Sequence, residues 1–483
     1  MDYRVVSFFL GRMAYAMAIV FYLPLSMAAA MRESVFFSFL ASLVIAVLFG
    51  TGFRRFGKRD MERLSIREGI AITGLGWILA SLLGMLPFFL GGYLPPFDAF
   101  FESLSGLTGT GATVFSDVES LPRSILFWRS LTHWLGGLGI IVIFIALLPQ
   151  TGQSTMQMYN AEANAPTEMR VLPKLKDTTS ALFRLYLALT LFATAVLFLA
   201  GLSPFDAVNH AMSAIGSGGF STYNDSAAHF HSAPVELWLS FFMFLSGGSF
   251  ALYYQAYRKG LRVFARNNEF RVYALLIAAA ILIITVDLVR ATGEEPLLAL
   301  RHAIFQATSL STTGFVSTDF DVWPGLSQGV LLLLMIIGGS SGSTAAGLKI
   351  SRVVLLFLML RAVVWEKMHP RIALTVEVNG RAVAGNILHR TAVFFFIYIF
   401  SICVIALFLT FDGISSFDAL GISITTLGCI GPAFGVAGAT ETYADLSTYV
   451  KAVLCFSMLL GRLEIFTVLA MLSPSFWRGR TNW

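Results

Sequence analysis

Four short glycine-centred segments carry the clearest chemistry in this chain: GTGATVF (109–115), SGGFSTY (217–223), TTGFVST (312–318) and CIGPAFG (429–435). Each follows an apolar half-helix and precedes another membrane-length apolar run. Glycine lets a backbone turn its carbonyls inward and approach a neighbour closely. Four such loops around one axis would offer main-chain oxygens to a cation that has shed its water. The expected ligating stretches are Thr110–Gly111, Gly218–Gly219, Thr313–Gly314 and Ile430–Gly431. No acidic side chain lies within the four loops. Carboxylate rings favour divalent ions and hold them tightly, whereas carbonyl dipoles suit a monovalent ion that must leave again. The plainer use of membrane glycines is tight turning or close helix packing.

Spacing favours the ion path. Phe97-Asp98-Ala99, Phe205-Asp206-Ala207 and Phe417-Asp418-Ala419 place an Asp thirteen residues before Gly111, Gly219 and Gly431. In the third copy the same position, counted from Gly314, holds Arg301. A fourfold repeat of this kind lets one chain surround a single axis. Asp98, Asp206 and Asp418 are expected at the outer N-termini of short helices, capping free N–H groups. The opposite helix ends would then turn partial negative charge toward the path.

The elements that must position these loops are membrane helices. The 483 residues are 56% hydrophobic and 13% charged, include 44 Phe, and have a mean hydropathy of +0.75, which excludes an ordinary soluble globule. Runs of about 20 apolar residues recur, enough to cross a bilayer. Ten spanning helices are expected, near 8–30, 35–53, 69–90, 125–149, 180–201, 235–257, 272–290, 326–360, 391–410 and 448–471. The segments 97–113, 205–221, 301–317 and 417–433 are too short to span and read as re-entrant. The expected fold is therefore an all-α polytopic membrane protein. It has an N-terminal helix pair (1–68) and four helix–pore-loop–helix units: 69–150, 151–258, 259–361 with a broken second helix, and 362–483. The first apolar run reads as a retained helix rather than a cleaved signal, because a second spanning run follows directly. Cys403, Cys429 and Cys455 support neither a disulfide framework nor a zinc site.

Of 33 Lys and Arg, 26 fall on one side of this topology, six on the other, and Arg462 lies inside the last helix. By the positive-inside rule both termini are cytoplasmic and the four loops enter from outside. The net charge of +5 sits in membrane-flanking loops and calls for no nucleic acid.

Two further features stand at membrane depth. Gly338, Gly339, Ser340, Ser341, Gly342, Ser343, Thr344, Gly347 and Lys349 interrupt the second helix of the third unit. Such a stretch is tolerable only where it lines a cavity or packs within protein, and it is a candidate gate; a small-residue packing face is the alternative. Arg462 is a buried cation whose expected place is below the filter. There it would repel cations, anchor the interruption, or pair with a carboxylate or carbonyls. Gly136-Gly137-Leu138-Gly139 lacks the setting of a dinucleotide fingerprint and reads as helix packing. The seven histidines show no metal-ligand spacing, and no nucleophile and base stand out, so no enzyme is expected.

The four loops, GGSSGSTAAGLK and GRLEIFTVL resemble the Trk/Ktr/HKT superfamily of potassium transporters, and the two extra N-terminal helices resemble its TrkH type. The likeness covers essentially the whole chain. It implies a pseudo-fourfold pore, K⁺ and Rb⁺ as permeant ions without an organic cofactor, and a homodimer in a bacterial inner membrane. It also implies a cytoplasmic nucleotide-binding ring of TrkA type that controls opening. By the same likeness Gly111, Gly219, Gly314 and Gly431 are filter glycines, Gly338 to Lys349 the gating loop, and Arg462 the arginine below the filter. Three departures touch selectivity: Gly109 where the family often has Thr, Gly428-Cys429 in place of an Asn pair, and Arg301 in place of the tag Asp. The rival reading is an H⁺- or Na⁺-coupled symporter, which normally shows inverted repeats and paired broken helices.

Overall fold

The computed structural model describes residues 1–57, 65–137, 139, 175–369 and 375–478. The span expected at 125–149 is described as Arg123–Gly137. Its continuation apart from Gly139, residues 150–174 of the polar insertion, and the basic residues of 58–64, 370–374 and 479–483 lie outside the described residues.

Among the described residues, six helices are long and apolar enough to cross a membrane: Tyr3–Met31, Phe36–Phe56, Arg67–Leu90, Asp177–Leu199, Asn268–Thr292 and Gly385–Phe411. Their outward faces present large apolar side chains, including Ile19, Phe37, Leu191, Leu282 and Phe396, as a lipid-facing surface requires. The first two helices pack closely: a Cβ on Gly11 would stand 3.0 Å from the Gly50 carbonyl. The Tyr3 hydroxyl donates to the Trp477 carbonyl at 2.9 Å, so the two ends of the described chain share one face.

Four short helices lie between the long ones: Pro96–Thr108, Pro204–Gly216, Pro296–Thr312 and Ser416–Gly428. The first, second and fourth have 13 residues and the third has 17, so Arg301 stands inside the helix rather than in its first turn. The tag aspartates are not the caps. Ser203 and Ser415 are, their hydroxyls accepting from the Asp206 and Asp418 amides at 3.1 and 3.2 Å. The carboxylates, freed from capping, make tertiary contacts: Asp98 receives the Lys451 ammonium at 2.9 Å, and Asp206 receives the Thr222 and Tyr223 hydroxyls. Arg301, without a tag partner, pairs with Glu236, Nε to Oε2 at 2.7 Å.

The inner helices differ from expectation. A single break was expected, at 338–349; among the described residues three inner helices are broken. Ala233–Ser246 and Phe250–Lys259 meet at 92° across Gly247–Ser249, and Thr448–Leu463 and Ile465–Leu472 meet at 118°. The second bend needs no glycine: Glu464 itself adopts φ +61°. Between Gly325–Ile337 and Ile350–Met368, residues 338–349 are non-helical, as expected.

Candidate functional site

The four glycine loops close a ring. A Cβ on Gly111 would overlap the Gly218 carbonyl oxygen, and one on Gly314 would overlap that of Ile430. On Gly219 it would stand 2.7 Å from the Thr313 carbonyl, and on Gly431 2.7 Å from that of Thr110. First quarter meets second, second meets third, third meets fourth, and fourth returns to first. All eight residues picked from sequence are therefore brought together, and Gly111, Gly219, Gly314 and Gly431 have φ between +79° and +102°. Only glycine accepts both that conformation and that approach. One cavity is lined by Gly111, Gly219, Gly314 and Gly431 with the residues that follow them. The short helices end immediately before the ring, so their negative dipole ends face it.

A second set of joints lies farther along the same loops. Asn224 Oδ1 accepts from the Val118 amide at 2.8 Å, the Ala228 amide donates to the Val316 carbonyl at 3.1 Å, and the Tyr443 amide donates to the Thr113 carbonyl at 2.8 Å. Phe320 and Phe434 meet edge to face at 5.3 Å between third and fourth loops. There Asp321 packs against Gly435–Ala439. Its partial burial, with Asp319 and Asp418 nearby, pushes its carboxyl up to about 6. Asp117, by contrast, is held below its ordinary value by the Asn224 amide.

Sequence reasoning missed the support behind the ring. Arg129 is buried and donates from Nε to Glu102 Oε1 at 2.9 Å, to the Ser221 carbonyl at 3.1 Å and to the Thr113 hydroxyl at 3.1 Å. Glu102 also accepts from the Val114 amide at 2.9 Å. The guanidinium lies 4.1 Å from the Phe220 ring centroid. One ion pair thus fixes the backs of the first and second loops. The available signal was a Glu and an Arg inside apolar segments, FFESLSG and FWRSLTH. His133 stacks on Phe220 at 4.0 Å, and His210 bonds the Ser221 hydroxyl at 3.0 Å; both buttress the second loop. Glu119, Asp225 and His229, from two loops, bring ligand atoms within 4.8 Å of one another, all exposed.

The interruption sits against the underside of this assembly. The Thr344 hydroxyl reaches Ser217 Oγ at 2.6 Å and the Ile215 carbonyl at 3.1 Å, at the end of the second short helix. The Ser340 amide donates to the Gly247 carbonyl at 2.8 Å and the Phe250 amide to that of Gly342 at 3.1 Å, so the interruption interlocks with the 92° bend. Lys349 bonds the Ala345 carbonyl. Arg462 donates to the Thr344 carbonyl at 2.9 Å and to the carbonyls of Gly136 and Gly137. It thereby joins the last helix, the interruption and the first unit. Its neighbour Glu464 pairs instead with Arg352. Gly137 packs against Gly216 and the Tyr186 hydroxyl, as the packing reading expected.

Comparison with known proteins agrees with this architecture. The family profile TrkH, a cation transport protein, matches residues 36–478. The Trk system potassium uptake protein TrkH of Halomonas elongata is 35% identical over 99% of this chain and 100% of its own length. The protein of that name from Escherichia coli K12 is 32% identical with the same coverage. The crystal structure of the potassium transporter TrkH from Vibrio parahaemolyticus superposes with a TM-score of 0.89 at 32% identity, covering 99% of this chain and 100% of that one. The chain is thus a multi-pass membrane protein and belongs to the TrkH family of cation transport proteins.

Proposed function

We propose that the chain is the membrane subunit of a potassium uptake system and conducts K⁺, and with it Rb⁺, through the ring of Thr110–Gly111, Gly218–Gly219, Thr313–Gly314 and Ile430–Gly431. The observation that carries this reading is the closed cycle of glycine-to-carbonyl contacts around one cavity. Main-chain oxygens replace the water of a monovalent ion, and the short-helix dipoles favour its positive charge. The names of the full-length relatives support the choice of ion. The interruption, Gly338 to Lys349, with Arg462, is the barrier below. Opening it requires loss of the Thr344 contacts with Ser217 and Arg462. An inside-negative potential of 100 mV supplies about 2.3 kcal/mol per charge, so permeation needs no chemical step. The charge asymmetry supports cytoplasmic termini in a bacterial inner membrane. Family likeness supports a homodimer whose opening is set by a TrkA-type nucleotide-binding ring.

Purified protein in liposomes tests the reading. A K⁺ gradient alone should drive ⁸⁶Rb⁺ uptake without added Na⁺ or a pH gradient. A coupled symporter is the second reading, favoured by bends in more than one inner helix. Uptake that appears only with a Na⁺ or H⁺ gradient would establish it instead.

A further inference from the structure

We propose that Glu269 is a positioning residue that latches the interruption in its closed place; this rests on the reading of residues 338–349 as a gate. Non-helical backbone at membrane depth must find partners for its amides. The interruption's amides at Ser340, Lys349 and Ile350 donate to carbonyls of Gly247, Ile337 and Gly339, at 2.8, 2.9 and 3.1 Å. The Ser341 amide alone among these uses a side chain: it donates to Glu269 Oε1 at 2.6 Å. The same carboxyl group also engages the Ser341 hydroxyl and the Ser351 amide, so one side chain gathers the start of the interruption and the start of Ile350–Met368. A main-chain ladder would have to unzip bond by bond, whereas contacts that all hang on one side chain are released together when that side chain moves.

Glu269 stands in the first turn of Asn268–Thr292, a turn fixed by the Asn267 side chain accepting from the Phe270 amide at 2.8 Å. The same turn is reached from outside the bundle. The Asn268 amide donates at 3.0 Å to Asn379 Oδ1, on the turn of the hairpin Glu377–Val378 and Arg381–Ala382. A displacement of that hairpin therefore passes through Asn268 and Glu269 to Ser341, three residues from the Thr344 that touches the ring's underside.

The test is unstimulated ⁸⁶Rb⁺ uptake in proteoliposomes, with protein quality checked by size exclusion. Glu269→Gln keeps the length and loses the charge; basal uptake should rise about tenfold, with the K⁺/Na⁺ ratio unchanged. Glu269→Asp, one methylene shorter, should move uptake in the same direction and serves if the Gln variant inserts poorly. Deletion of 338–342 is the reference for an open barrier. A deletion that raises uptake while both Glu269 variants stay at the wild-type level overturns the latch and leaves the gate. If the deletion also fails to raise uptake, the gate reading falls and takes the latch with it. A changed ion ratio in either variant overturns the positioning role, because Glu269 would then be acting on the ring.

Discussion

Around the ring each quarter touches the next through main chain: Gly111 to Gly218, Gly219 to Thr313, Gly314 to Ile430, Gly431 to Thr110. Beneath it, residues 338–349 meet the 92° bend through main chain at Gly247 and Phe250 but depend besides on single side chains from other helices: Arg462 holds Thr344 and Glu269 holds Ser341. Backbone contacts repeated four times have no alternative arrangement nearby, since any shift of one loop meets the next. Side-chain contacts made once can be exchanged for water or for other partners. The molecule pairs a stiff, nearly symmetric layer with an asymmetric one that can be released, which suits selection above and gating below.

That contrast can be broken in several ways. The largest effect belongs to Arg129→Leu, which leaves Glu102 buried and unpaired at a cost of about 3–5 kcal/mol. Chemical denaturation should show the loss, and Arg129→Lys should not restore it, because the forked contacts to Glu102, Ser221 and Thr113 need a guanidinium. Stability near wild type in the Leu variant would mean that the ring does not depend on its backing. Next comes Gly111→Ser. Its side chain meets the Gly218 carbonyl, and the K⁺/Na⁺ permeability ratio should fall about tenfold or more; an unaltered ratio removes the ring as the selective element.

Gly109→Ala sharpens the same point at a smaller scale. Gly109 also has a left-handed φ, +72°, but a Cβ there would lie 3.4 Å from the Ser217 carbonyl, an ordinary contact. Ser217 and Cys429 occupy the matching helix ends with φ of +55° and +52°. The alanine should therefore cost only about 1–2 kcal/mol of conformational strain and leave the ion ratio alone; a collapse of selectivity would show that Gly109 belongs to the ring.

The smallest effect is at the joint of the third and fourth loops. Asp321 has its carboxyl raised to about 6 from an ordinary 3.8, so its contribution is fully present below about 3.8 and is lost as pH rises through about 6. Asp321→Asn should flatten that part of the thermal-stability profile against pH. An unchanged slope would remove Asp321 from the joint.

Much of the ring was legible in the chain because its requirements are local. A glycine at a fixed distance from a tag residue is visible in one segment, and three such segments point to the fourth, whose tag position holds Arg301. The 338–349 break was legible for the same reason, since polar and small residues at membrane depth need no partner to be noticed. What escaped was relational. Glu102 and Arg129 are 27 positions apart, and nothing in either segment says that they meet. The caps were misassigned because Asp and Ser are both good caps; in the folded chain the serines cap and the carboxylates are drawn into contacts with Lys451, Thr222 and Tyr223. The bend at Glu464 has no breaker residue to announce it, and Gly247-Gly248-Ser249 reads equally as a packing face.

Diffraction from crystals grown in Rb⁺, collected at the rubidium absorption edge, tests the central claim most directly. The account predicts anomalous density on the axis enclosed by the Gly111, Gly219, Gly314 and Gly431 loops, within reach of carbonyls from all four. Density confined to one side of that axis, or found only at acidic surface groups, would contradict it.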